Sequence, residues 1–250
     1  MARRVRLVTV AGLVGLILAL TAGPSAAQDI SINFGQGGSG LTKRAIQLIA
    51  LLTVLSIAPS ILIMMTSFTR IVVVLSLLRT AMGTATAPPN TVIIALAVFL
   101  TAFVMGPVLQ KSYDDGIRPL INNEISAEEA LQRASVPLRA FMQKNVREKD
   151  LRLFVDLSGE PPPATPEEMS LRILVPAFMI SELKRAFEIG FLLFVPFLVI
   201  DLVVASVLMS MGMMMLPPVT VSLPFKLIFF VLVDGWRLVC GSLVESFHPR

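Results

Sequence analysis

Four residue types are almost missing: the 250-residue chain has one histidine, one cysteine, one tryptophan and one tyrosine. The histidine, His248, lies close to the end of the sequence. A Ser-His-Asp triad or a His-Glu-x-x-His zinc site needs a histidine inside a folded pocket, so enzymes of those types are excluded. The lone Cys240 excludes an intramolecular disulfide and a cysteine-based metal site. No catalytic residue, cofactor or metal is expected. Charge is also scarce, at 15% of residues against 55% hydrophobic, which lies outside the range of ordinary soluble domains and points to a membrane. Of the formal net charge of +4, Arg3, Arg4 and Arg6 supply three, and the rest is nearly neutral. There is no basis for a nucleic-acid partner.

The early arginines precede the apolar run Val8 to Leu20 and the small residues Ser25-Ala26-Ala27. That order of basic, apolar and small segments is the order of a secretory signal peptide, and the run is short for a membrane span. Residues 1–27 are expected to be removed, with the mature chain starting at Gln28. Residues 28–44 then form a flexible N-terminal segment containing Asn33 to Gly40, which has no core-forming side chains.

Apolar runs organise the rest of the chain, and the expected fold class is all-α: an integral membrane protein of two long helical hairpins with a small helical extramembrane domain between them. The first hairpin, 45–110, has one arm uncharged from Ala45 to Thr69 with a kink at Pro59. Arg70 interrupts it, Ile71 to Leu78 continue it, and Ala87-Pro88-Pro89-Asn90 turn the chain into the uncharged stretch Thr91 to Gln110. The second hairpin, within 173–250, runs from Ile189 to Met209, through a loop at 209–218, and back from about Phe225 to Val244. Hydropathy therefore gives four spans.

Between the hairpins, 111–172 mixes charges of both signs. Ser126-Ala127-Glu128-Glu129 reads as a capping box, after which Leu131, Ala134, Leu138, Phe141 and Met142 share one helical face. Thr165-Pro166-Glu167-Glu168 repeats the start signal. The short connector between the first two spans carries Arg70 and Arg79 without an acid, which places it in the cytoplasm, the 111–172 domain in the periplasm and the 209–218 loop toward the cytoplasm.

Five of thirteen methionines, Met209, Met211, Met213, Met214 and Met215, fall within seven positions beside Gly212, Pro217 and Pro218. Unbranched, polarizable side chains make a deformable apolar surface, and glycine and consecutive prolines do not suit a continuing helix. Such backbone is tolerated at membrane depth only where protein or a cavity surrounds it.

Charges inside apolar segments cost about 2.5–3.5 kcal/mol each on insertion scales, so they should face protein or water and have partners. Asp234 and Arg237 can pair at i, i+3. Asp201 has no basic neighbour within a turn, which leaves Lys226 or another subunit as its partner. It reads as a structural pin in preference to a proton relay, because few titratable groups accompany it. Glu182, Lys184, Arg185 and Glu188 form interlocking i, i+3 and i, i+4 pairs, read first as inter-subunit contacts and second as a substrate-facing ring.

Two segments resemble the signatures of the FliP family, the export-gate proteins of flagellar and injectisome type III secretion: Pro176-Ala177-Phe178-Met179-Ile180-Ser181-Glu182-Leu183-Lys184-Arg185-Ala186-Phe187-Glu188-Ile189-Gly190-Phe191, and Pro196-Phe197-Leu198-Val199-Ile200-Asp201 running to Ser210-Met211-Gly212-Met213. The resemblance implies helices that assemble into a closed conical complex partly above the bilayer plane, with apolar surface buried against partners. It implies a homo-pentamer combined with FliQ and FliR in the bacterial inner membrane at the flagellar basal body. The complex would contact other export proteins and lipid, and would pass unfolded flagellar proteins. The methionine residues would form a pore gasket that performs no chemistry on them. An injectisome counterpart is the near alternative, against which the signal peptide argues. A small-molecule or ion transporter would need midplane substrate groups and internal repeats, which are not found.

Overall fold

The computed structural model describes residues 38–84, 86–159, 169–213 and 215–247. The expected signal peptide, residues 28–37 and the start signal at Thr165 to Glu168 lie outside them. The described residues are helical, with no strand among them: α1 (Gly38–Met64), α2 (Phe68–Ala81), α3 (Asn90–Ser112), a π-helical turn (Tyr113–Ile117), α4 (Arg118–Ile121), α5 (Ala127–Asn145), α6 (Glu148–Ser158), α7 (Leu171–Ser210), α8 (Pro218–Leu232) and α9 (Gly235–Glu245). The chain is all-α, as its apolar runs require. Two compact units divide it, 1–53 and 54–250. In the first, α1 already includes Gly38-Ser39-Gly40, so residues 38–44 are helical where composition suggested a tether. The second holds the other helices and both hydrophobic cores.

Hydropathy gives four spans, and the helices among the described residues give two or three candidates. Two continuous helical stretches, Asn90–Ile121 and Leu171–Ser210, are long and apolar enough to cross a membrane, and α8 with α9 gives a third if that pair, bent by 64°, is one span. The uncharged first run ends as a helix at Met64, and α2 is a 14-residue element that turns inward. Its Ile71, Val74, Leu75 and Leu78, at i, i+3, i+4 and i+7, are fully buried against Ile93 and Ala97 of α3, Phe197 of α7 and Leu243 of α9. A second core joins Met142 of α5 to Leu174 and Phe178 of α7.

The longest element departs most from expectation. α7 runs unbroken for 40 residues through Pro176 and Pro196, whereas the sequence gives a 21-residue arm from Ile189 and a domain boundary at 172/173. At 1.5 Å per residue it reaches roughly 60 Å, about twice the hydrocarbon thickness. Ser170 caps it, accepting a bond from the Arg172 N–H at 3.3 Å. Its N-terminal half packs on α5 and α6, so one rigid rod joins the apolar and charged parts of the chain.

In that charged region the serine half of the capping box forms: Ser126 Oγ accepts the Glu129 N–H at 3.3 Å, while the Glu129 carboxylate accepts from Arg133 at 2.6 Å. The expected apolar face of α5 is right at Leu138, Phe141 and Met142, but Leu131 points to solvent and Ala130 is the buried residue one position earlier. The π-helical turn before α5 has a tight requirement. A Cβ on Gly116 would lie 2.6 Å from the Ala130 carbonyl oxygen and 2.8 Å from the Ala134 nitrogen, both backbone atoms that cannot rotate away. Gly116→Ala is therefore expected to destabilise the chain by about 1–3 kcal/mol, read as a lower thermal midpoint in detergent, while Gly106→Ala on the open face of α3 changes it little.

α6 is pinned to α7 by an ionic network. Arg147 donates Nε and Nη2 to the two carboxylate oxygens of Asp150, both at 2.9 Å. Ser181 of α7 donates Oγ to Asp150 Oδ2 at 2.6 Å and accepts the Arg147 backbone N–H at 3.0 Å. The Arg147 bonds, helped by Ser181 and opposed by burial, hold the Asp150 carboxyl below the usual carboxylate range. A depressed carboxyl stabilises the folded form fully above its unfolded pKa of about 3.9, and that contribution is lost as pH falls through the lower folded value. Amides of Glu148–Ser158 should stay protected from hydrogen exchange at pH values above about 4 and lose protection below it. Asp150→Asn should remove the pH dependence.

Candidate functional site

Two acid–base pairs and one loop contain most of the residues singled out by sequence. The first pair was not legible as a pair. Arg70 of α2 and Glu182 of α7 are 1% and 0% exposed, and the guanidinium meets the carboxylate with two parallel bonds, Nε to Oε2 at 2.8 Å and Nη2 to Oε1. Its Nη1 donates to the carbonyl and hydroxyl of Ser246 at 3.1 and 2.9 Å. The Phe247 ring lies beneath its Cζ at 3.7 Å. The planar, five-donor guanidinium suits this site, since a bidentate carboxylate, a carbonyl and an aromatic face can all be met at once. Arg70 thereby joins α2, α7 and the segment after α9.

This placement corrects two expectations. Arg70 is internal and neutralised, so it gives no free positive charge to a connector and leaves Arg79 alone in the orientation argument. Arg79 itself donates to the Pro88 carbonyl and the Asn90 side chain. Glu182 pairs across 112 positions and not with its helical neighbours, because it faces the core while Lys184 and Glu188 face outward. Of the three charges grouped with it by sequence, Lys184 and Glu188 approach to 3.9 Å, Glu188 lies 4.0 Å from Arg147, and Arg185 is half-buried.

The second pair gives Asp201 its partner. Lys226 of α8 donates Nζ to Asp201 Oδ2 at 2.6 Å, and Ser222, one turn earlier on α8, donates to Oδ1. Lys226 also reaches the Ala81 carbonyl at the end of α2, at 3.4 Å. Ser222 is the residue sequence reasoning missed; its i−4 spacing from Lys226 was the available signal. The Asp234–Arg237 pair is different in kind. Its nitrogen and oxygen are 3.9 Å apart and both side chains are largely exposed. Asp234 does not lie inside a helix: it has φ 52° at the bend between α8 and α9. The fourth apolar segment is therefore two helices, with its charges where the backbone breaks.

The loop between α7 and α8 is made by its end signals. Gly212 has φ +75°, a left-handed position that glycine occupies without Cβ strain. The Met213 N–H bonds to the Leu208 carbonyl at 2.9 Å and the Gly212 N–H to Met209 at 3.1 Å, the pair of bonds that closes a helix with glycine just past its end. Pro217 caps α8 and Pro218 is its first residue, where the missing N–H costs nothing. Met209, Met211, Met213 and Met215 are exposed at this tip, Met215 by 98%; Met214 lies outside the described residues.

An all-helical chain with long apolar helices, two largely buried ion pairs and an exposed methionine tip has the make-up of a membrane protein. Comparison with known proteins makes this specific. The FliP family model matches residues 51–243. Flagellar biosynthetic protein FliP of Caulobacter vibrioides is 61% identical over 98% of this chain and 92% of its own length. The proteins of that name from Pectobacterium carotovorum subsp. carotovorum and Bacillus subtilis are 56% and 55% identical, covering 85% and 81% of this chain and 82% and 91% of their own. The chain belongs to the FliP family.

Proposed function

We propose that this chain is a core subunit of the flagellar type III protein export gate, a non-enzymatic component of the flagellar export apparatus. It assembles as a homo-pentamer with FliQ and FliR into the channel through which unfolded flagellar proteins cross the inner membrane at the basal body. The 111–172 region is its periplasmic helical domain. Family membership supports the export assignment, and the flagellar names of the relatives favour it over an injectisome counterpart.

The observation that carries the mechanism is the exposed methionine tip. Four apolar side chains stand open at a glycine- and proline-bounded loop, and packing among the described residues does not account for them. Repeated around a ring, they would give a deformable apolar seal that excludes water and ions yet fits varied passing side chains. The exposed face of α7, with Phe187, Phe191, Leu192, Leu198 and Leu202, is the apolar surface such a ring would bury against lipid and neighbouring subunits. The test is purification of the tagged chain from its own membranes under mild conditions. FliQ, FliR and several copies of the chain should elute together. Recovery of the chain alone, from cells whose flagella assemble normally, would overturn the assignment.

A further inference from the structure

The methionines divide sharply by exposure. Met65, Met82, Met105, Met142 and Met169 are buried, Met105 and Met142 completely. Met209, Met211, Met213 and Met215 stand open on a single loop, and outside it only Met64 of α1 is exposed among the described methionines. The course of the loop does not depend on their thioethers, since it is set by the left-handed Gly212, the bonds from the Gly212 and Met213 N–H groups and the two prolines. From Leu202 to Phe225 the sequence has no charged residue, cysteine or histidine, so the thioethers are the readily oxidised groups of the tip.

A peroxide oxidises a thioether in one two-electron step. The sulfur lone pair attacks a peroxide oxygen, the O–O bond breaks, sulfur keeps that oxygen as a sulfoxide, and hydrogen peroxide leaves as water. The flexible apolar side chain becomes a polar one at the same place. An apolar constriction closes by excluding water, so sulfoxides within it would wet it. We propose that Met209, Met211, Met213 and Met215 are sites of reversible oxidation by peroxides, and that their oxidation opens the seal to water and small ions. The effect on the seal rests on the gate reading above, whereas the modification itself rests on exposure alone. In a ring these side chains line the channel, and hydrogen peroxide, little larger than water, reaches them from its open side. Reversal consumes two thiols, which become a disulfide while the sulfoxide oxygen leaves as water, with a methionine sulfoxide reductase as catalyst.

The experiment treats the assembly as purified with hydrogen peroxide and locates sulfoxides by peptide mass spectrometry. The loop methionines should oxidise on the order of tenfold faster than Met105 and Met142, and reductase with a thiol should restore them. Equal rates in the two groups, or a loop that stays unoxidised in the assembly, would overturn the proposal, and this comparison needs no variant to fold. In vesicles carrying the assembly, peroxide should raise ion permeability several-fold, and reductase with a thiol should bring it back. Leucine at Met209, Met211, Met213, Met214 and Met215 together should abolish that rise, because leucine has no sulfur to oxidise, whereas Met64→Leu should leave the rise in place. A loop that oxidises with no change in permeability, or a rise that persists in the leucine variant, would overturn the switch. The gate reading stands or falls separately, on the co-purification described above.

Discussion

Glu182→Ala should lower the stability of the chain by about 3–5 kcal/mol, the range for removing one partner of a buried ion pair. The alanine leaves the Arg70 guanidinium, itself 1% exposed, charged and without its carboxylate. It cannot escape by losing its proton, because arginine stays protonated in proteins. Phe247 and Ser246 would hold it only partly, through one ring contact and two bonds from Nη1. The remedy open to the chain is to expose Arg70, which means lifting α2 off α7 and freeing the segment after α9. The single substitution should give reduced abundance in membranes and a large fall in thermal midpoint. Arg70→Met combined with Glu182→Leu removes both charges at similar volume and should recover most of the loss. If Glu182→Ala alone melts like the parent, the pair carries no stability and the packing of α2 on α7 has another cause. Asp201→Ala should cost less than Glu182→Ala, because Asp201 is 27% exposed where Glu182 is 0%, and water can reach the abandoned Lys226 from that side. Blue-native electrophoresis would separate two roles for Asp201. A weakened oligomer supports a structural pin, and a full-size complex with lost export supports a relay.

Met213, Met214 and Met215 replaced together by alanine should open the gate to small ions while leaving the complex assembled. The loop backbone is set by Gly212, Pro217 and Pro218, so shortening the side chains leaves its course intact. What is lost is apolar bulk at the tip, including the almost wholly exposed Met215. A constriction that seals by excluding water fills once it widens by about a water molecule. Cells producing the variant should grow poorly and take up small ions and solutes that the parent excludes. Leucine at the same three positions keeps volume and loses flexibility, so it should leak less and slow export. An assembled triple-alanine complex with parental permeability would reduce the cluster to ordinary packing.

Local chemistry was legible in the sequence wherever a feature depends on residues within about one or two helical turns. Ser126 with Glu129 marked a helix start, Gly212 and Pro218 marked a stop and a start, and the absence of charge from Ala45 to Thr69 and from Thr91 to Gln110 marked membrane-compatible helix. The signatures at Pro176 to Phe191 and Pro196 to Met213 were enough for the family, because they are runs of adjacent residues. Tertiary structure decided what each charge is for. Arg70 looked like a break in an apolar run and a topological marker, and Glu182 looked like one member of a helical charge ladder. Only packing brings them together, since their partnership spans 112 positions and periodicity says which face a residue occupies but not what stands opposite. The same holds for the bend at Asp234, where composition reads continuous helix and the Phe230–Trp236 ring contact at 5.3 Å fills the corner that the turn creates. The sequence by itself determined that the chain is helical, apolar and of this family. Contacts between distant helices determined which of its few charges are buried, and a charge in an apolar interior persists only beside the partner the fold supplies.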